Sequence, residues 1–255
     1  MSPPAVHTLG QVERLLSQKT SVLRVCWQGC DAFAKRRSRL RSHERIVLLA
    51  APLLRRWLLP GQPFEPVRHA PSPAFEAQRL TALKSSGFPV PDVLASNADV
   101  LVMSALGESL ETLLDREADR EHRLAWQREA AADLAAFHAA GQWHGGAQVR
   151  NLVRGPDGRW WRIDFEAPLD RYLPLPVLQA FDLLLLLTSL ARMGDRDALD
   201  EIAAAYVATA PSATLTVLRR GWPWLARVAN ARFVKRVAPA EAARLAALAV
   251  LQPLL

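Results

Sequence analysis

The residues of this chain best suited to chemistry fall in one stretch, 143–166, which reads WHGGAQVRNLVRGPDGRWWRIDFE. It carries an imidazole at His144, amides at Gln148 and Asn151, and carboxylates at Asp164 and Glu166. Between the second amide and the first carboxylate the pattern is that of a β-hairpin. A short strand over 151–154 is followed by a Pro-Asp-Gly turn at 156–158 and a second strand over 160–165, with Pro fixing one turn position and Gly accepting a positive φ. Asn151 opens the first strand and Asp164 closes the second, so pairing the strands brings an amide oxygen and a carboxylate to one edge. Oxygens of this kind suit Mg²⁺, which takes one or two protein ligands and completes its shell with phosphate oxygens and water. Asn151 and Asp164 are the expected metal ligands.

At these residues the chain resembles the protein-kinase-like superfamily, whose template runs His-x-Asp-x-x-x-x-Asn, then a hairpin, then Asp-Phe-Gly. His144 and Asn151 stand at that spacing, and Ile163-Asp164-Phe165-Glu166 takes the place of the second motif. Gly146 occupies the position of the template's catalytic Asp. The form HGG-x-Q-x-x-N with Asp-Phe-Glu is similar to the bacterial lipopolysaccharide-core (heptose/Kdo) sugar kinases. The resemblance implies ATP and Mg²⁺ as cofactors and an α+β, two-lobed fold. Residues 1–105 would form a small antiparallel sheet plus helix that anchors nucleotide phosphate. Residues 106–255 would form a mainly helical lobe with the catalytic-type loop and the metal site.

The elements that must position these groups are legible on either side. Residues 22–27 alternate apolar and polar, Gln28-Gly29 gives a turn and 32–35 continues, a hairpin that ends on Lys35. The resemblance gives Lys35 the α- and β-phosphates of ATP; on composition alone it opens the solvated basic run KRRSRLR. Ser72-Pro73 starts a helix with Phe75, Leu80 and Leu83 on its buried side and Gly87 at its end. Glu76 lies one turn in, where the resemblance makes it the ion-pair partner of Lys35 and the helix dipole alone would also favour an acid. Two short runs, 93–95 and 100–103, form a hairpin leading to 104–107, and the resemblance places adenine against the backbone near Met103 and Ala105. A helix over 122–140, with His138 on its core side, delivers the chain into His144. His144 itself is expected to fix loop geometry from below the site. The apolar helix over 177–193 is interrupted by Asp182, and an unpaired buried carboxylate is costly; the resemblance has it accept hydrogen bonds from the backbone of the 143–151 loop. Helices over 196–208, 213–226 and 239–251 complete the chain.

With Gly at 146, either Glu166 acts as the base or Gln148 orients the acceptor while water takes the proton. The third option is a pseudokinase that binds nucleotide or a partner without transfer. Half of the 255 residues are hydrophobic, enough to bury a sizeable core. The formal charge of +7, with Arg36, Arg37, Arg39, Arg41, Arg45, Arg55 and Arg56 concentrated in the first third, fits a phosphate-bearing acceptor or an anionic inner-membrane surface. A helix over 42–59 would carry part of this charge. The acceptor expected is a lipopolysaccharide-core sugar or similar small anionic glycan. A non-catalytic basic adaptor is the reading from another class, although no basic-aromatic stacking pattern or nucleic-acid motif is present. Cys26 and Cys30 are too few for a disulfide framework. The most apolar stretch, 183–187, is far short of the ~20 residues of a span, and a cytoplasmic protein, soluble or peripheral to the inner membrane, is expected.

Overall fold

The computed structural model describes residues 3–16, 21–36, 72–165, 169–171, 173–230 and 248–254. The fold is mixed α+β, with a small, mostly antiparallel sheet and a larger set of helices. The chain divides into two compact units. Among the described residues the first takes 3–16, 21–36, 72–108 and 153–165, and the second takes 109–152 and those from 169 onward. The expected helices over 42–59 and most of 239–251 lie outside the described residues, as do Glu166 and the arginines from Arg37 to Arg56.

The first unit is built on a five-stranded sheet. Its strands are β1 (Ala5–Val6), β2 (Val22–Trp27), β3 (Cys30–Arg36), β4 (Val93–Ser96) and β5 (Val100–Ser104), in the spatial order β1-β2-β3-β5-β4. Only the β1–β2 pair is parallel. Trp27 pairs with Cys30, so the β2–β3 loop is two residues long. Both loop residues, Gln28 (φ 49°) and Gly29 (φ 88°), lie in the left-handed region, as the twist of a tight hairpin requires.

Period-2 alternation sorts the sheet's side chains. Val25, Trp27, Ala32, Ala34, Val100 and Val102 share a buried cluster with Val12 of α1 (Leu9–Leu15). The alternate residues of β3 and β5, including Lys35 and its partner Leu101, point to the other face. There α2 (Pro73–Ser85) packs on β4 and β5. Its N-cap is Ser72, whose hydroxyl accepts from the Phe75 N–H at 3.1 Å, and Pro73 opens the first turn. The buried residues of α2 are Pro73, Glu76, Ala77, Leu80 and Leu83. Glu76 therefore sits in the apolar stripe, on the same sheet face as Lys35.

The hairpin after the loop consists of β6 (Leu152–Arg154) and β7 (Trp160–Arg162). From Val153 it belongs to the first unit, so a single cut at 105/106 does not describe the chain. The reason is backbone pairing: Arg154 N–H donates to Glu108 O at 2.9 Å and Arg162 N–H to Pro89 O at 3.1 Å. Gly107 makes this possible, because a Cβ there would overlap the Arg154 carbonyl. Both strands are shorter than expected. Asn151 ends a 3-10 turn before β6, and β7 stops at Arg162 because Asp164 leaves the extended region, with φ 75°. At the tip Gly158 has φ 73°, and Asp157 accepts from Arg159 Nε at 2.7 Å and Trp161 Nε1 at 2.8 Å.

The second unit is helical: α3 (Leu110–Arg116), α4 (Arg120–Ala139), α5 (Leu175–Arg192), α6 (Leu199–Val207) and α7 (Ser212–Asn230). Asp119 caps α4, accepting from the Glu121 and His122 N–H groups. Arg123 and Gln127 of α4 bind Asp195 beyond α5, Arg123 Nη2 at 2.5 Å and Gln127 Nε2 at 2.7 Å. By length and composition α5 could cross a membrane, yet most of it is buried within the protein.

Two outcomes test this description. Gln28→Asn is expected to stabilise the first unit by about 0.5–1 kcal/mol, since Asn tolerates the left-handed region better than Gln; a higher urea midpoint would show it. The bonds from Arg159 and Trp161 hold the Asp157 carboxyl down from 3.8 to about 2. Its contribution to stability is thus complete above 3.8 and disappears as pH falls through about 2, and carboxyl NMR titration should give a midpoint near 2.

Candidate functional site

In the first unit the alternation of β3 and the stripe of α2 bring Lys35 and Glu76 together. Lys35 Nζ lies 2.9 Å from Glu76 Oε2, with side-chain exposures of 7% and 1%. The same ammonium also bonds the Asp164 carboxylate. Lys35 is thus not the start of a solvated run; the exposed residue is its neighbour Arg36. Glu76 Oε1 accepts from the Phe165 N–H at 3.2 Å, and Phe165 is buried. One buried acid therefore grips both the lysine and the backbone next to Asp164. Among the described residues no group of three or more His, Cys, Asp or Glu side chains comes together, and Glu76 and Asp164 are the acidic oxygens of this cluster.

Asp164 is the conformational outlier. Its φ is 75°, and among the described non-glycine residues only it and the turn residue Gln28 have a positive φ. Asp tolerates the left-handed region better than most, but holding it there still costs of order 1 kcal/mol, and such residues concentrate at binding and catalytic sites. The strained backbone turns the carboxylate onto Lys35 while leaving it partly exposed, at 19%. A carboxylate presented this way, beside a buried ammonium, can hold a hard cation and place a phosphate next to it.

In the second unit the 143–151 loop hangs on one carboxylate. Asp182, 0% exposed in the middle of α5, accepts from His144 N–H at 2.6 Å and Gly145 N–H at 2.7 Å. Gly145 has φ 83°. His144 Nδ1 accepts from Gly146 N–H at 3.1 Å, and Asn151 Nδ2 donates to Gly146 O at 2.8 Å. The latter bond fixes which end of the Asn151 amide is oxygen. Gln148 N–H also donates to Gly146 O, at 2.7 Å, and Val149 N–H donates to Ser189 Oγ at 3.2 Å. Two loop N–H groups thus end on Asp182, and His144 is buried, at 2% exposed.

Behind Asp182 lies a buried chain that the sequence reading missed in part. His138 Nε2 is 3.4 Å from Asp182 Oδ2, and its Nδ1 is 2.7 Å from Tyr206 Oη. A neutral imidazole satisfies both partners in one way, with Nε2–H toward the carboxylate and Nδ1 accepting from the hydroxyl. Burial, then the charge of Asp182, pushes Tyr206 up from its ordinary value, so its proton stays available to donate. Gln179 Nε2 donates to the carbonyls of His138 at 2.8 Å and Gln142 at 2.9 Å, and its Oε1 accepts from Thr214 Oγ1 at 2.6 Å. Gln179 and Ser189 were findable by the reasoning that found Asp182, as polar residues in an apolar helix. No sequence pattern pointed to Tyr206.

The remaining candidates fall as follows. Asn151 belongs to the second unit and Asp164 to the first. Met103 lies between β3 and β4, paired with Phe33 and Val93. Ala105 N–H donates to Asp31 O at 3.0 Å. Gln148 is 8% exposed. At Gly146 an added Cβ would meet Asn151 Nδ2 at 3.5 Å and His144 Nδ1 at 3.6 Å, ordinary contact distances. The backbone there does not demand glycine.

No protein-family model matches the chain, and no curated protein matches it. Function is therefore read from these side chains.

Removing Asp182 strands the buried His144 N–H, the half-buried Gly145 N–H and the imidazole edge. Asp182→Ala is expected to destabilise by about 3–5 kcal/mol, and Tyr206→Phe by about 1–2 kcal/mol. Urea unfolding of the two variants, with the larger loss at Asp182, checks this.

Proposed function

We propose that the chain is a kinase-like, two-lobed protein that binds Mg²⁺·ATP, with Lys35 meeting the phosphates, Glu76 holding Lys35, and Asp164 ligating the metal. The observation that carries this reading is the buried ammonium held by two carboxylates, one of them on a left-handed residue. A structural ion pair needs no strained backbone and no partly open carboxylate; a site that hands an ammonium to phosphate and a carboxylate to metal needs both. Hard oxygen donors suit Mg²⁺. Bound Mg²⁺ supplies charge neutralisation on the phosphate oxygens, while this chain's residues bind, orient and neutralise.

The activity proposed is phosphoryl transfer to a lipopolysaccharide-core sugar or similar anionic glycan. This acceptor rests on the motif form HGG-x-Q-x-x-N. Gly146 supports a second reading, a nucleotide-binding protein that does not transfer, because glycine stands at the sequence position of the template's catalytic carboxylate. Under the first reading Gln148 or Glu166 assists.

Calorimetric titration with Mg²⁺·ATP is the test, with Asp164→Asn as the variant because Asn tolerates the left-handed backbone. Binding is expected in the wild type and is expected to weaken about tenfold or more in Asp164→Asn; equal binding by both would remove the metal assignment. Gly146→Asp separates the two readings. General-base help is worth about 10²–10⁴-fold, so the variant should gain ATP turnover if the chain otherwise positions an acceptor. Transfer by the wild type, unimproved in the variant, would instead favour Gln148 or Glu166.

A further inference from the structure

The outward face of α7 takes no part in the chemistry described so far. Its inner face is set by Thr214 and Leu218, which are 0% and 3% exposed, and Thr214 Oγ1 donates to Gln179 Oε1 of α5 at 2.6 Å. Helical spacing then brings Arg219, Arg220, Pro223 and Arg227 to the outside, and all four are exposed. Along the edge of that stripe Leu215, Trp222 and Ala226 follow one another at helical spacing, each half-buried. A row of guanidinium groups is thus bordered by an apolar line that carries an indole. The charge is of one sign. No Asp or Glu occurs between Glu201 and Glu241, so α7 carries no acid of its own. A helix side that only has to stay in water ordinarily mixes signs, as α4 does with Arg120, Glu121, Arg128 and Glu129 on its exposed side.

We propose that this face of α7 docks the protein on the surface of an anionic lipid bilayer, with Arg219, Arg220 and Arg227 against headgroup phosphates and Trp222 at the boundary with the acyl chains. A helix lying in the membrane interface combines a cationic side with an apolar edge, and an aromatic ring suits the headgroup level. Arginine fits the phosphate because its planar fork donates two parallel hydrogen bonds. Each cation brought to a charged bilayer raises partitioning about fivefold. A nucleic acid would attract the same charges. The line beside them favours lipid, since Leu215 and Ala226 have no group to pair with a base edge, whereas acyl chains would cover them. Docking of this kind needs nothing from the Lys35 cluster and goes beyond the nucleotide reading.

The test is sedimentation of the full chain with vesicles, either an equal mixture of phosphatidylglycerol and phosphatidylcholine or phosphatidylcholine alone, at physiological salt. The wild type is expected to bind the mixed vesicles and to leave the neutral ones. Combining Arg220→Glu with Arg227→Glu should weaken binding to the mixed vesicles about thirtyfold or more. Arg120→Glu with Arg196→Glu makes the same change in net charge at exposed positions on other elements and is expected to stay within about threefold of the wild type. Should the first pair prove unfolded by circular dichroism, Arg220→Gln with Arg227→Gln replaces it, with a loss of about tenfold or more expected. No binding by the wild type, equal binding to neutral vesicles, or an equal loss in the two charge-reversed pairs would overturn the proposal. Binding of a mixed-sequence RNA duplex that the vesicles fail to displace, and that is lost in the α7 pair, would assign the face to nucleic acid and overturn it as well.

Discussion

An ammonium held away from water by two carboxylates is the interaction on which the first unit turns. Burying an ammonium and a carboxylate is costly unless each is matched, and each local feature around Lys35 and Glu76 serves that match. The period of β3 puts Lys35 on the face opposite the apolar cluster around Val12. The stripe of α2 places an acid where a leucine would otherwise sit. The hairpin contributes the second acid only because β7 stops at Arg162 and the chain turns through a left-handed residue.

The second unit solves a different problem by related means. Its loop carries backbone N–H groups that no helix or strand can satisfy, and an unmet buried donor costs about 1–3 kcal/mol. Asp182 meets two of them and is itself braced by His138, which Tyr206 braces in turn. The loop's shape is therefore written in a helix distant in sequence. Gly146 stands outside this logic: neither sterics nor φ requires it.

Much of this was legible in the sequence because local rules and burial agreed. The Ser72-Pro73 helix start, the Gln28-Gly29 turn and the Pro-Asp-Gly tip follow from side-chain chemistry alone, and Lys35, Glu76 and Asp182 stood out as charges in apolar patterns. Three features were not legible. The end of β7 depends on Asp164 being held in a backbone state that its own propensity only permits. The direct bond between Lys35 and Asp164 spans 129 positions, beyond any periodic signal. Tyr206 looked like an ordinary core aromatic, and its hydroxyl gains meaning only from an imidazole on another helix.

The polar residues set into α5 also bear on how the chain is made. As it leaves the ribosome, Leu175–Arg192 has the length and apolar character of a bilayer-crossing segment. Asp182, near its middle, would resist partition into lipid by about 2.5–3.5 kcal/mol, and Gln179 adds to that resistance. The carboxylate that shapes the loop thus also makes this helix a poorer match for lipid than its length and apolar content alone suggest.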